Sequence, residues 1–346
     1  MKKHKICKIL LVILAIFLCV AFYELLGICV AYKKQPEVSN TTKKETKNGS
    51  WNECSENTER AVIIEKNPEA LLQRVRLIKN AKKEIILSTF AFQSDESGKL
   101  ILGALHDAAD RGVHIRLLVD GMESWIDMEG NPYFYGLSSH ENVEIKLYNK
   151  ANPLKPWKMM GRMHDKYLIA DGKRYILGGR NTYNYFLGDF PGHKNYDRDV
   201  LVVCDEPEKE NSVNQLLEYF ETIWEQEDSG YFHDNKKLAN RKSVKNAVLE
   251  LQNGYQKYFE ENKERICDTD YTDETFETEK IALVSNPIHT GSKEPVVWYQ
   301  LGELMKNAKD RVKIHTPYII CNDMMYNTWE EIAENVSDFS IMTNSV

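Results

Sequence analysis

Met163–Asn184 reads M-H-D-K-Y-L-I-A-D-G-K-R-Y-I-L-G-G-R-N-T-Y-N, and the fold turns on how it is parsed. His164 and Lys166 stand on alternate positions of an apolar segment. Alternation is the strand period, so the two side chains are predicted to share one face of a sheet. Tyr167, Leu168 and Ile169, then Tyr175, Ile176 and Leu177, are rich in strand formers, and the Asp171-Gly172 pair between them signals a hairpin. Gly178-Gly179-Arg180-Asn181 follows the second strand. An imidazole, a cation beside it and an amide after two glycines suit the handling of phosphate.

Upstream, Glu69–Lys82 places Leu71, Leu72, Val75 and Ile78 in a helical stripe, and Glu84–Phe92 is a predicted strand. Leu100–Arg111 is a second helix, stopped at Gly112; Val113–Val119 is the next strand and Val143–Tyr148 a further short one. Helices and strands in alternation require crossovers. Downstream come a loop, Leu187–Tyr196, the strand Asp199–Cys204, and an amphipathic helix carrying Val213, Leu216, Leu217, Phe220, Ile223 and Trp224. The expected fold class is α/β: a mixed, largely parallel sheet sandwiched by helices, over residues 61–227.

Residues 228–280 are charged and include the low-complexity Y-T-D-E-T-F-E-T-E-K; they read as a linker or insertion, with helix around Val244–Tyr258. Beyond them the chain repeats itself. L-I-K-N-A-K-K-E-I-I-L-S-T at Leu77–Thr89 matches L-M-K-N-A-K-D-R-V-K-I-H-T at Leu304–Thr316. A helix at Met324–Glu334 and a strand at Phe339–Thr343 follow in the same order, so residues 281–346 are expected to be a partial second copy. Val346 corresponds to about Asp120 of the first copy, ahead of the position of His164, and the chain holds one His-x-Lys sequence.

At the other end, Ile9–Tyr23 has no charge, and Glu24 precedes a second apolar run, Leu25–Tyr32. A helix over Ile9–Tyr32 is about 36 Å long, against a bilayer core of about 30 Å. Lys2, Lys3, Lys5 and Lys8 outnumber Lys33 and Lys34, which favours the N-terminus inside and the rest on the outer face. Gly27–Ala31 makes a poor cleavage site, and Ile28 before Cys29 is too large for a lipoprotein site. Residues 1–33 are therefore expected to be an uncleaved single-pass anchor in the cell membrane, and the polar residues 34–60 a tether.

Composition sets the remaining bounds. Hydrophobic residues make up 42% and charged residues 28% of the 346, a globular balance. The net charge of -7 argues against a dedicated nucleic-acid binder. The seven cysteines form no C-x-x-C pair and no zinc spacing; small buried thiols are the default, with a disulfide among Cys54, Cys267 and Cys321 left open.

H-D-K-Y-L-I-A-D-G-K-R-Y-I-L-G-G-R-N resembles the signature of the phospholipase D superfamily: His-x-Lys, four residues, Asp, six residues, then Gly-Gly/Ser-x-Asn. His164, Lys166, Asp171, Gly178, Gly179 and Asn181 fill its positions. The G-G-R-N run with its Tyr/Phe-rich sequel and the membrane segment is most similar to the bacterial cardiolipin synthase-like branch. The resemblance implies two copies of a helix-covered sheet about a pseudo-twofold axis. It implies that neutral His164 displaces an alcohol from a phosphodiester to give a phosphohistidine. Lys166 and Asn181 would then hold non-bridging oxygens. Asp199, heading D-V-L-V-V, would fix the tautomer of the imidazole. Asp171 belongs to the catalytic motif but serves the turn more than the chemistry. No metal and no cofactor are required.

The family's second step needs a general acid, usually the histidine of the second copy, which these residues do not supply. A second phospholipase D-like chain would provide it, or the chain is inactive alone. Arg180 and Gly179, together with His315 in H-T-P-Y, are the candidate substrate contacts, and Arg162 flanks the motif. Trp125, Tyr133, Phe134, Tyr135 and Trp157 are either packing residues or an apolar rim that meets acyl chains. The leading expectation is a membrane-anchored phosphatidyltransferase of the cardiolipin synthase type acting on membrane phospholipid. Its rivals are a phosphodiesterase or nuclease working as a homodimer, and a non-catalytic fragment.

Overall fold

Asp171 and Gly172 both adopt left-handed backbone, with φ of 55° and 62°, which folds the chain back on itself within the motif. Around that turn the computed structural model describes residues 2–49, 59–204, 211–233 and 235–344. In chain order they form α1 (Lys2–Tyr32), α2 (Asn40–Asn48), β1 (Glu59–Ile64), α3 (Asn67–Asn80), β2 (Glu84–Thr89), α4 (Glu96–Asp110) and β3 (His114–Asp120). Then come α5 (Gly121–Asp127), α6 (Pro132–Ser138), β4 (Val143–Tyr148), β5 (Tyr167–Ala170), β6 (Arg174–Gly178), β7 (Asp199–Cys204) and α7 (Ser212–Trp224). The remainder is β8 (Ser229–Tyr231), α8 (Lys242–Glu261), α9 (Lys263–Cys267), β9 (Phe276–Glu277), α10 (Val296–Lys306), β10 (Arg311–His315), α11 (Asp323–Asn335) and β11 (Asp338–Met342). Two compact units result: Met1–Tyr32 with Cys54–Leu283, and Lys33–Glu53 with Val284–Val346.

The first unit is built on a nine-stranded sheet of order β8-β4-β3-β2-β5-β6-β7-β1-β9. The expected parallel order holds through β2, β3 and β4, which are joined by helical crossovers. From β5 onward pairing turns antiparallel, because a tight hairpin can join only antiparallel strands. Side chains alternate between two helical layers. Ile85, Leu87, Ile115, Leu117, Leu168 and Ile176 join the core beneath α3, α4, α6 and α8. The opposite face meets α7, where Arg116 lies over Phe220 and Tyr167 packs edge-on to Tyr219. At Gly103 of α4 a side chain would lie 2.7 Å from Leu251 O, so that glycine sets how closely α8 approaches.

Several segments differ from expectation for physical reasons. Residues 228–280, expected as a linker or insertion, include α8, whose Val244, Leu251, Tyr255 and Phe259 complete the core over α4, and β9, which pairs with β1. The tether expected over residues 34–60 contains α2, started by Ser39 Oγ accepting from Thr42 N–H and ended by left-handed Gly49. The second unit pairs β10 and β11 in parallel over a small core of Val312, Ile332 and Val336. Its α10–β10 matches α3–β2 of the first unit, as the repeated sequence requires. Cys267 and Cys321 are free thiols, and Cys54 lies outside the described residues. Helix α1 is long and apolar enough to cross a membrane.

Candidate active site

The sheet topology brings one end of several strands together. Strands β2 and β3 finish at the edge where β5 begins, since Ser88 pairs with Tyr167. Strand β6 finishes and β7 begins there too, with Gly178 opposite Asp199. The motif thus collects at a single sheet edge although its parts come from distant sequence.

His164 and Lys166 lie just before β5 rather than within it, and Gly178 N–H donates to Lys166 O at 3.1 Å, so the ladder extends to the lysine. His164 is exposed, its ring edge-on to Phe90 with centroids 4.6 Å apart. Lys166 is buried and its Nζ donates to His164 O at 2.6 Å. Partial burial of the ring, then the charges of Lys166 and Arg162, hold His164 below the ordinary histidine value, while Asp120 pulls the other way. Burial pushes Lys166 down to about 8, against the pull of Asp165, Asp197 and Asp120. The imidazole is therefore neutral and nucleophilic near pH 7 while the ammonium keeps most of its charge.

Asn181 is buried, and its Oδ1 accepts from Ala91 N–H at 3.1 Å. That fixes the side chain with its NH2 group as the donor end. The two preceding glycines are dictated by carboxylates. A methyl group at Gly178 would overlap the Asp199 carboxylate and lie 2.6 Å from Arg198 O; at Gly179 it would come within 2.7 Å of Asp197 Oδ1.

The remaining predicted residues serve the frame. Asp171 accepts backbone N–H donors from Lys82 at 2.8 Å, Lys83 at 2.7 Å and Glu84 at 3.0 Å, fastening the hairpin turn to the α3–β2 connection. Arg180, expected to contact substrate, is instead fully buried. Its guanidinium donates to Asn67 Oδ1, Ile64 O, Glu65 O and Asp197 O, which leaves it nothing to offer a ligand. Asp199 is expected on the imidazole. It is buried between Arg74 at 2.9 Å and Arg180 at 3.3 Å, and among the described residues it makes no hydrogen bond to His164. Neither of its oxygens accepts in hydrogen-bond geometry, so those ion pairs act through charge. His315 ends β10 in the second unit.

Sequence reasoning missed three members of the site. Phe90, just after β2, lies against His164 and under the cations of Arg162 at 4.9 Å and Lys166 at 5.3 Å. Asp120, at the end of β3, accepts from Met163 N–H at 3.0 Å and pairs with Arg162 at 2.7 Å. Arg74 is a buried cation inside an otherwise apolar helix face. Asp120 had a usable signal, the Asp-Gly that closes the third strand; the other two had none.

Residues 74–224 match the family described as cardiolipin synthase, phospholipase D-like domain. A Helicobacter pylori strain 26695 protein described as uncharacterized is 28% identical over 83% of this chain and 59% of its own length. The chain thus spans about three-fifths of that relative. Cardiolipin synthase C of Escherichia coli K12 is 29% identical over 45% of this chain and 34% of its own. Phosphatidylserine synthase of Haemophilus influenzae Rd KW20 shares the fold, with a TM-score of 0.58 at 16% identity over 88% of this chain and 66% of that one. The complete His-x-Lys signature, set at the sheet edge that its spacing prescribes, agrees with these matches: the chain carries a phospholipase D-like domain over residues 74–224 and is cardiolipin synthase-like.

Proposed function

We propose that this chain is a membrane-anchored phosphatidyltransferase of the cardiolipin synthase type, working through a phosphohistidine on His164. The observation that supports it most is the pairing of an exposed, neutral-favoured imidazole with a buried ammonium bonded to the same residue's carbonyl. One ring nitrogen of His164 attacks phosphorus, the P–O bond to the first alcohol breaks, and that alcohol leaves with a proton from a general acid. A second alcohol then attacks, giving its proton to the group that protonated the first, the P–N bond breaks, and both that acid and the imidazole are regenerated. Lys166 and the NH2 of Asn181 hold the non-bridging oxygens as charge builds. Asp199 acts on the site through Gly178 and Arg180. The general acid comes from a second His-x-Lys motif, carried by another phospholipase D-like chain. Helix α1 holds the enzyme as a single-pass protein with its catalytic unit on the outer face.

The test is turnover of phosphatidylglycerol by the full chain in nanodiscs, with and without a second phospholipase D-like chain, beside DNA cleavage. Turnover is expected only with the second motif present and is abolished by His164→Ala. DNA cleavage lost in that variant sinks the lipid assignment in favour of a nuclease. Lipid turnover by isolated monomers sinks the need for a second motif.

A further inference from the structure

Helix α1 is not uniformly free. Every residue from 5 to 20 is exposed, whereas Ala21, Glu24, Gly27, Ile28, Ala31 and Tyr32 are partly covered. That second set recurs at three- and four-residue spacing, one face of a helix. What covers it includes the loop between β4 and β5: a side chain at Gly27 would lie 2.5 Å from the Pro156 ring, and Tyr23 Oη donates to Leu154 O at 3.0 Å. Residues 5–20 span about 24 Å of helix. Counted from Ile9, after the last N-terminal lysine, about 20 residues cross a bilayer core of about 30 Å, so the bilayer surface lies near Gly27–Ile28, and the loop stands at that level.

The same loop exposes Leu154 (75%), Trp157 and Met160 (58%). Next to it, α5 exposes Trp125 (68%) and Ile126 (75%). The two segments meet across a cavity of about 210 Å³ lined by Met122 from α5 and by Lys155 and Met159 from the loop. Five large apolar side chains in two adjoining segments are more than scattered surface hydrophobics account for. Two are tryptophans, the side chain best suited to the headgroup zone. Lys155 is exposed among them, while Lys158 is paired with Asp228 and Lys150 bonds Tyr231 O. Both segments also hold the site: Asp120, which caps α5, binds Arg162 and the Met163 N–H, both within the β4–β5 loop.

We infer that Trp125, Ile126, Leu154, Trp157 and Met160 form a second membrane contact, immersed in the headgroup zone of the bilayer that α1 spans. It holds the His164 edge at the lipid surface, so that phospholipid is taken from that same bilayer. The last clause rests on the proposed phospholipid chemistry; the docking itself does not.

Tryptophan quenching tests it, since α1 contains no tryptophan. The full chain is placed in nanodiscs of phosphatidylcholine and phosphatidylglycerol brominated near the acyl carbonyls, or unbrominated. Bromine is expected to quench the emission, and the Trp125→Phe/Trp157→Phe variant to lose most of that quenching. Leu154→Asp/Met160→Asp keeps both reporters and is expected to weaken quenching too, which guards against a misfolded double tryptophan variant. No quenching, or equal quenching in all variants, overturns the docking, as does self-association broken by these substitutions without any quenching. With the second phospholipase D-like chain added, quenching without lipid turnover supports the docking and counts against the chemistry; turnover without quenching does the reverse.

Discussion

The ammonium of Lys166 donates to the backbone carbonyl of His164 at 2.6 Å. The cation that would neutralise a bound phosphate is thus fastened to the residue that would attack it. Moving one backbone moves the other, because the bond closes within three consecutive residues leading into β5. Lys166→Met should lower lipid turnover about 10²–10³-fold, the scale for losing one transition-state donor. Steady-state kinetics should place the loss in kcat.

The two charges also set the pH profile. His164 lies below 6.5, so turnover should rise with pH through a value under 6.5, then fall as Lys166 loses its proton near 8. Removing the ammonium with Lys166→Gln should move the imidazole titration upward, read by NMR of the ring protons. For stability the sign is different. Folded Lys166 titrates near 8 and unfolded lysine near 10.5, so between them the unfolded chain binds more protons and stability rises with pH. Denaturant unfolding of the wild type and Lys166→Met across that window checks it, since the variant should lack the rise.

Arg180 should prove structural. Removing it strips Asp199 of one buried partner and four acceptors of their donor. Arg180→Met should cost about 3–5 kcal/mol, and Arg180→Met/Asp199→Asn less than the sum of the two single changes. Urea unfolding of the four proteins gives the cycle.

The two glycines should differ. At Gly178 the obstruction includes backbone, at Gly179 only the end of the Asp197 side chain. Gly178→Ala should therefore destabilise by about 1–3 kcal/mol. Gly179→Ser should be milder and largely relieved by Asp197→Ala. Thermal unfolding separates the cases.

Asp171→Ala removes the acceptor for three backbone N–H groups and replaces a residue type that tolerates a φ of 55° with one that does not. A loss of about 2–3 kcal/mol is expected, with Asp171→Asn intermediate. If the role is to fasten the turn, turnover of the fraction still folded should be unchanged, as an active-site titration would show.

What the sequence revealed was local. The hairpin was legible because Asp171-Gly172 and the flanking strand formers lie within a few residues of one another, and the repeat because Leu304–Thr316 echoes Leu77–Thr89. What it concealed depends on long-range contact. Phe90 reaches His164, and Arg74 reaches Asp199, through sheet pairing and helix packing that no window of sequence contains. Arg180 looked like a phosphate ligand because its position flanks the motif, and nothing nearby showed that β1 and Asn67 would enclose it. Strand β9 was hidden inside an acidic run whose composition suggested a linker or insertion.

The pairing of Ala170 with Arg174, and of Tyr167 with Leu177, means that the four residues from Lys166 to Asp171 and the six from there to Gly178 are the two arms of one hairpin. The family spacing is in this sense a ruler. It counts the steps by which a turn near one end of the sheet places an imidazole, an ammonium and two glycines side by side at the other. A single residue inserted in either arm would leave every chemical group in the chain yet turn half of them to the opposite face. The signature identifies an enzyme family less by which groups it contains than by how far apart it keeps them.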